Sequence, residues 1–132
     1  MQDFIVLIPS RMESLRLPGK PLKLIGNKTL IQRVSEQALK SKAKEVLVAT
    51  DSQEIISHCS VNNIKSVLTK SDHSTGSDRL AEAAENLNLD DDQIIINVQG
   101  DEPFIDPDDI NNLHSLMEKT SSNMATLYSK LT

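Results

Sequence analysis

Between Pro9 and Lys28 the sequence carries Arg11, Arg16, Lys20, Lys23 and Lys28 against Glu13 alone. The whole chain has a net charge of −5, so this cluster runs against its background, and phosphate groups are the partner such a cluster selects. Within it, Pro18-Gly19-Lys20-Pro21 is a turn. Gly19 lets the backbone approach a ligand, and the flanking prolines limit where Lys20 points. A lysine held that way suits a point contact to a polyphosphate and can offset charge that builds in a transition state. The segment is not a Walker A loop: Ser14 stands where the first glycine is needed and Pro21 where Ser or Thr is needed. No G-x-G-x-x-G is present either. The ordinary alternative is a solvated basic loop.

Two further stretches have chemistry to offer. Gln99-Gly100-Asp101-Glu102-Pro103 lies in a region, Asp90 to Asp109, that is acidic and has no basic residue. A carboxylate just past a buried strand, as Asp101 is expected to be, can hold Mg²⁺ together with substrate phosphates. Asp106, Asp108 and Asp109 are read instead as favouring the dipole of their own helix, and Asp90 to Asp92 as a solvated turn. Ser74-Thr75-Gly76-Ser77-Asp78-Arg79 offers hydroxyls, a glycine and a helix N-terminus that can present N–H groups to a ligand; an ordinary N-cap is the alternative. The histidines are weak candidates. His58 and His114 fall on expected helices without a partner at metal-ligand spacing, and His73 sits in a loop. Cys59 reads as core.

The elements that position these stretches follow from periodicity. Phe4 to Ile8 is a short aliphatic run and reads as a buried strand. Thr29 to Lys42 reads as a helix, with Leu30, Ile31, Val34, Ala38 and Leu39 on one face. Glu45 to Ala49 is a second strand. Thr50-Asp51-Ser52 then offers an N-cap, with Glu54 three residues after Asp51 in the manner of a capping box, for a helix running to about Asn62. Ser66 to Thr69 is a third strand, and Lys70 to Ser77 a polar loop. Leu80, Ala83, Ala84 and Leu87 mark another helix. Gln93 to Val98 is a fourth strand. Asp106 caps a helix that has Pro107 at its first position, with Ile110, Leu113 and Met117 inward. Met124 to Ser129 is a fifth strand.

Alternation of strands and helices implies an α/β fold: a mostly parallel, Rossmann-like sheet covered by helices, with right-handed crossovers. A 3-2-1-4 order brings the loops after the first and fourth strands to one crevice at the carboxyl edge, where such sheets bind ligands. At 132 residues the chain is one domain at most. Its acidity argues against a general nucleic-acid binder; there is no apolar run long enough for a membrane span, and no signal peptide is expected. The one cysteine allows no internal disulfide. These features are those of a cytoplasmic protein. Phe4, Phe104 and Tyr128 are the only aromatic residues, so the core must be aliphatic and no base-stacking surface is expected.

Five ordered motifs carry a resemblance. They are Ile8-Pro9-Ser10-Arg11, Leu15-Arg16-Leu17-Pro18-Gly19-Lys20-Pro21-Leu22, Val48-Ala49-Thr50-Asp51, Thr75-Gly76-Ser77-Asp78-Arg79-Leu80-Ala81-Glu82 and Val98-Gln99-Gly100-Asp101-Glu102-Pro103. Together they closely resemble the 3-deoxy-manno-octulosonate cytidylyltransferase (CMP-Kdo synthetase) family, a nucleotidyltransferase fold. The resemblance implies a Mg²⁺-dependent reaction of CTP and Kdo, giving CMP-Kdo and diphosphate for lipopolysaccharide biosynthesis. It implies that Arg11, Arg16 and Lys20 hold the triphosphate, with Lys20, Arg16 and Asp101 catalytic and Asp101 holding Mg²⁺. Pro9, Ser10, Thr75, Gly76, Ser77 and Arg79 would line the nucleotide, and Gln99 would face nucleotide or sugar. Departures are mild: Ser10 stands where alanine is common, Leu15 for a usual threonine, Ser77-Asp78 for a usual Thr-Glu or Thr-Asp.

The family enzymes are longer, so residues 1–132 are expected to be the nucleotide-binding N-terminal part. The sugar-binding and dimerisation part would be absent, with the full-length form a homodimer. The chain alone is expected to bind CTP without turning over. Two alternatives stand beside this reading: a cytidylyltransferase for another acid sugar, such as an amino analogue of Kdo, and a non-catalytic nucleotide-binding fragment.

Overall fold

The computed structural model describes residues 3–10, 22–69, 82–87, 93–99, 103–120 and 124–127. Strand β1 (Phe4–Ser10) is the axis of the molecule. After it come a small antiparallel hairpin, β2 (Leu24–Ile25) and β3 (Lys28–Thr29), and helix α1 (Leu30–Leu39). Strand β4 (Glu45–Thr50), helix α2 (Gln53–Val61) and strand β5 (Lys65–Leu68) follow. Helix α3 is described over residues 82–86. Strand β6 (Ile94–Val98), helix α4 (Pro107–Thr120) and strand β7 (Met124–Leu127) complete the described elements.

The main sheet has the order β5-β4-β1-β6-β7, with every described pairing parallel. The 3-2-1-4 order expected from sequence is therefore present, with the fifth strand added beside the fourth. Alternate residues of each central strand serve opposite faces. Phe4, Val6 and Ile8 of β1, Val46 and Val48 of β4, and Ile94, Ile96 and Val98 of β6 join α1, α2 and α4 in one core. Ile5, Leu7, Leu47, Ala49 and Ile95 meet Ala83, Ala84 and Leu87 around α3 on the other. Burial on both faces is why these strands read as unbroken aliphatic runs.

One expectation fails here. From β1 to β4 the chain moves toward one sheet edge, and from β6 to β7 toward the other. Yet α1 and α4 lie on the same face: Ile110 and Met117 share the core of Ile31 and Val34. The two crossovers therefore have opposite hands, and they cannot both be right-handed. Ties between the helices fix α4 on that face. Gln37 Nε2 donates to Ile105 O at 2.8 Å, and Lys42 N donates to Asn111 Oδ1 at 2.8 Å.

Helix caps explain the boundaries. Thr29 caps α1 in a complete capping box with Gln32: Gln32 N donates to Thr29 Oγ1, and Thr29 N donates to Gln32 Oε1 at 2.8 Å. Ser52 is the N-cap of α2, its Oγ accepting from Ile55 N at 3.3 Å. The cap thus sits one residue beyond Asp51, and Glu54 becomes first-turn charge rather than the third residue of a box. Asp106 Oδ1 accepts from Asp108 N at 2.9 Å as α4 begins, as expected.

Candidate functional site

Parallel strands stop together at the carboxyl edge, and their last residues are the described part of the candidate site. Ser10 of β1 pairs with Thr50 of β4, and Thr50 with Leu68 of β5. On the other side Leu7 pairs with Asn97; two further steps along each strand bring Pro9 level with Gln99. With neighbours about 4.8 Å apart, the ends of β4, β1 and β6 fall within about 10 Å. The chain leaves β1 toward β4 and returns on the opposite flank as β6, so β1 and β6 form a topological switch point.

Two polar side chains at this edge are buried. Thr50 is fully buried; its Oγ1 accepts from Ser52 N at 3.1 Å and its carbonyl accepts from Thr69 N at 2.8 Å. Ser10 is 5% exposed, and its Oγ has no hydrogen-bond partner among the described residues. Pro9 and Gln99 are half-buried. The structure therefore brings Pro9, Ser10 and Gln99 to one edge. Arg11, Arg16, Lys20, Thr75, Gly76, Ser77, Arg79 and Asp101 lie outside the described residues.

The far end of the basic loop is anchored on α1. Leu22 packs against the main core. Arg33 grips the hairpin turn, Nη2 donating to Ile25 O at 2.8 Å and to Asn27 Oδ1 at 3.2 Å. Gly26 has φ +71°, and a Cβ there would stand 2.9 Å from that guanidinium. This hairpin is not among the elements expected from periodicity; Gly26-Asn27 between two short runs is its signal. Lys28, counted with the basic cluster, is ion-paired with Glu36 instead. Lys23 is exposed, and its carbonyl accepts from Leu30 N at 2.9 Å.

The titratable groups away from this edge are structural. His58 Nε2 lies 2.7 Å from Thr29 Oγ1, and Gln32 Nε2 donates to Asn62 Oδ1 at 3.1 Å, so a polar ring ties the start of α1 to the end of α2. His114 stacks on Phe4 with ring centres 4.4 Å apart. Among the described residues no three His, Cys, Asp or Glu side chains converge as a metal site, and no helix is long and apolar enough to cross a membrane.

Cys59 is fully buried, and burial pushes its thiol from 9.0 up to about 11. The unfolded chain therefore ionises first as pH rises. Stability present below pH 9 should be lost between pH 9 and 11, by at most about 2–3 kcal/mol. Urea unfolding at pH 8 and 10.5 checks this: the stability gap between the wild type and Cys59→Ala should narrow at the higher pH.

A family model described as cytidylyltransferase matches residues 5–132. The chain belongs to that family. It is 53% identical over 122 residues to the 3-deoxy-manno-octulosonate cytidylyltransferase of Pseudomonas fluorescens strain SBW25, covering 92% of this chain and 45% of the relative. The enzyme of the same name from Neisseria meningitidis serogroup A is 46% identical over 126 residues, covering 96% of this chain and 50% of the relative. The fold matches a solved CMP:2-keto-3-deoxy-manno-octonic acid synthetase complexed with CTP at a TM-score of 0.83 and 40% identity, covering 89% of this chain and 48% of that one. A cytidylyltransferase from Leptospira borgpetersenii gives a TM-score of 0.74 at 27% identity, over 90% and 50% of the two chains. This cytidylyltransferase chain spans about half the length of the relatives it matches. Its sheet, switch point and helical layers are those of an α/β nucleotidyltransferase fold.

Proposed function

We propose that this chain supplies the CTP-binding part of an enzyme that makes CMP-Kdo. The observation that carries the reading is the fold match, at 40% identity, to a synthetase complexed with CTP. The switch point at Ser10 and Gln99 offers a crevice where such sheets take nucleotides. In the proposed reaction the anomeric hydroxyl oxygen of Kdo bonds to the α-phosphorus of CTP and gives up its proton to solvent, the bond from that phosphorus to the bridging β-phosphate oxygen breaks, and diphosphate leaves. Arg11, Arg16 and Lys20 hold the triphosphate and offset the charge that gathers on it. Thr75, Gly76, Ser77 and Arg79 flank the nucleotide, and Gln99 faces it or the sugar. Kdo is the expected sugar and a homodimer the expected full-length form.

Mg²⁺ takes hard oxygen donors, and among the described edge residues the half-buried Gln99 carries one in its carboxamide. Asp101 is the carboxylate proposed to hold it. When bound, the ion would lower the charge repulsion of the triphosphate; the cationic side chains of this chain do the binding and orientation.

Calorimetric titration of CTP with and without Mg²⁺, followed by a diphosphate-release assay over a panel of acid sugars, tests the reading. Saturable, Mg²⁺-assisted CTP binding is expected, with release only when Kdo is the sugar and the complete site is present. Absence of CTP binding would sink the proposal, and release with another sugar alone would replace Kdo.

Ser10 allows a sharper check. Its hydroxyl is buried without a described partner, which costs stability, and alanine is common at this position in the family it resembles. Ser10→Ala should raise unfolding stability by about 1 kcal/mol and leave CTP affinity within about twofold. A large loss of affinity would show the hydroxyl itself touching the ligand.

A further inference from the structure

Residues 11–21, which carry Arg11, Arg16 and Lys20, are flanked by two anchored points. On one side Ser10 is locked into the sheet by its pairing with Thr50. On the other, Leu22 packs against the main core and the chain passes straight into the β2–β3 hairpin. Only Pro21, whose ring restricts the backbone, separates Lys20 from Leu22. Where the hairpin sits therefore bears on where Lys20 can stand. Yet the hairpin is weak in itself. Its strands have two residues each, Leu24 pairing with Thr29 and Ile25 with Lys28, and ladders that short do not persist alone in water. Leu24 is 65% exposed, so apolar burial adds little.

Arg33 supplies the missing hold. From the first turn of α1 it reaches back over the hairpin turn. Its Nε and Nη2 both donate to Ile25 O, at 3.2 and 2.8 Å, and Nη2 also donates to Asn27 Oδ1 at 3.2 Å. A planar fork shared between two acceptors fixes direction as well as distance, which an ammonium does not. The helix it reaches from is itself fixed, by Leu30, Ile31 and Val34 in the core and by the capping box at Thr29. The turn is shaped around the guanidinium, because Gly26 leaves open the space that a Cβ would contest. The other side-chain tie, Lys28 to Glu36, joins groups 38% and 42% exposed and holds less firmly.

We propose that Arg33 is a positioning residue for CTP: by fixing the hairpin it sets where the basic segment ends and how Lys20 is presented, without touching the nucleotide. This rests on the reading of Lys20 as a triphosphate contact. A side chain already held in place spares the complex the cost of ordering it, and that saving appears as affinity.

Calorimetric titration of CTP into the wild type, Arg33→Ala, Arg33→Lys, Lys20→Ala and the double variant tests this, with urea unfolding as the check that each is folded. Arg33→Ala should bind CTP about fivefold more weakly. Arg33→Lys should lose as much, because it keeps the charge and not the fork. Gly26→Ala, which disturbs the same grip from the turn side, should also match it. On the Lys20→Ala background, adding Arg33→Ala should cost less than about twofold more, since the side chain it positions has gone. A merely structural role predicts the same loss on both backgrounds, and that result overturns the proposal. Full affinity in Arg33→Lys overturns it too, by showing that charge and not grip matters. Unchanged affinity in Arg33→Ala beside a loss in Lys20→Ala ends this proposal alone. Unchanged affinity in Lys20→Ala ends the reading of the basic segment and this proposal with it.

Discussion

Ile96→Ala should cost about 4 kcal/mol of unfolding free energy. Ile96 is fully buried in β6, pairing with Val6 on one side and Ala125 on the other. Its side chain enters the core shared by β1, α1 and α4. Removing it leaves a void enclosed by parallel strands, which are held by hydrogen bonds on both flanks and relax little. Domains of this kind have only about 5–15 kcal/mol in total, so the variant should be near its limit at 37 °C. Urea unfolding should show a lower midpoint with an unchanged slope. Val61→Ala is the matched control: Val61 is 81% exposed at the end of α2, and its loss should move stability by less than about 0.5 kcal/mol. A cost for Ile96 below about 1 kcal/mol would mean that β6 is not a central strand.

The centrality of β6 is legible in the sequence, because Ile94-Ile95-Ile96 does not alternate with polar residues, and only a strand covered on both faces reads that way. The order 3-2-1-4 rests on the fold type that those runs imply, and the sheet carries it. Features set by two elements meeting were not legible. The hand of the β6–α4–β7 crossover depends on which face α4 chooses. Its inward residues Ile110 and Met117 look the same from the sequence whichever face they cover. The pairing of Lys28 with Glu36 depends on a hairpin that a short, exposed Leu24-Ile25 run barely signals. Thr50-Asp51-Ser52 offers three capping side chains in a row, and Ser52 serves because the extended backbone lies there, at φ −102° and ψ 121°. For the site, sequence pattern supplied the motifs, and the register shows that Pro9, Ser10 and Gln99 belong to one edge.

That pairing of Lys28 separates two lysines that composition treats alike. Lys20→Ala should weaken CTP binding about ten- to a hundredfold, the loss expected for one charge-assisted contact to a phosphate. Lys28→Ala should change it by less than about twofold, because Glu36 already takes the Lys28 ammonium and the Arg33 ties hold the hairpin in place without it. Both substitutions remove one positive charge, so a nonspecific electrostatic attraction to CTP would weaken them equally and would fade alike as salt rises. A directed contact predicts the asymmetry, and predicts that it persists at high ionic strength. Calorimetric titrations of CTP into the two variants at low and high salt therefore decide between a basic surface that attracts anions and a loop that holds a triphosphate. Equal losses would remove Lys20 from the proposed site, and with it the reading of the Pro18-Gly19-Lys20-Pro21 turn as a device that aims one side chain.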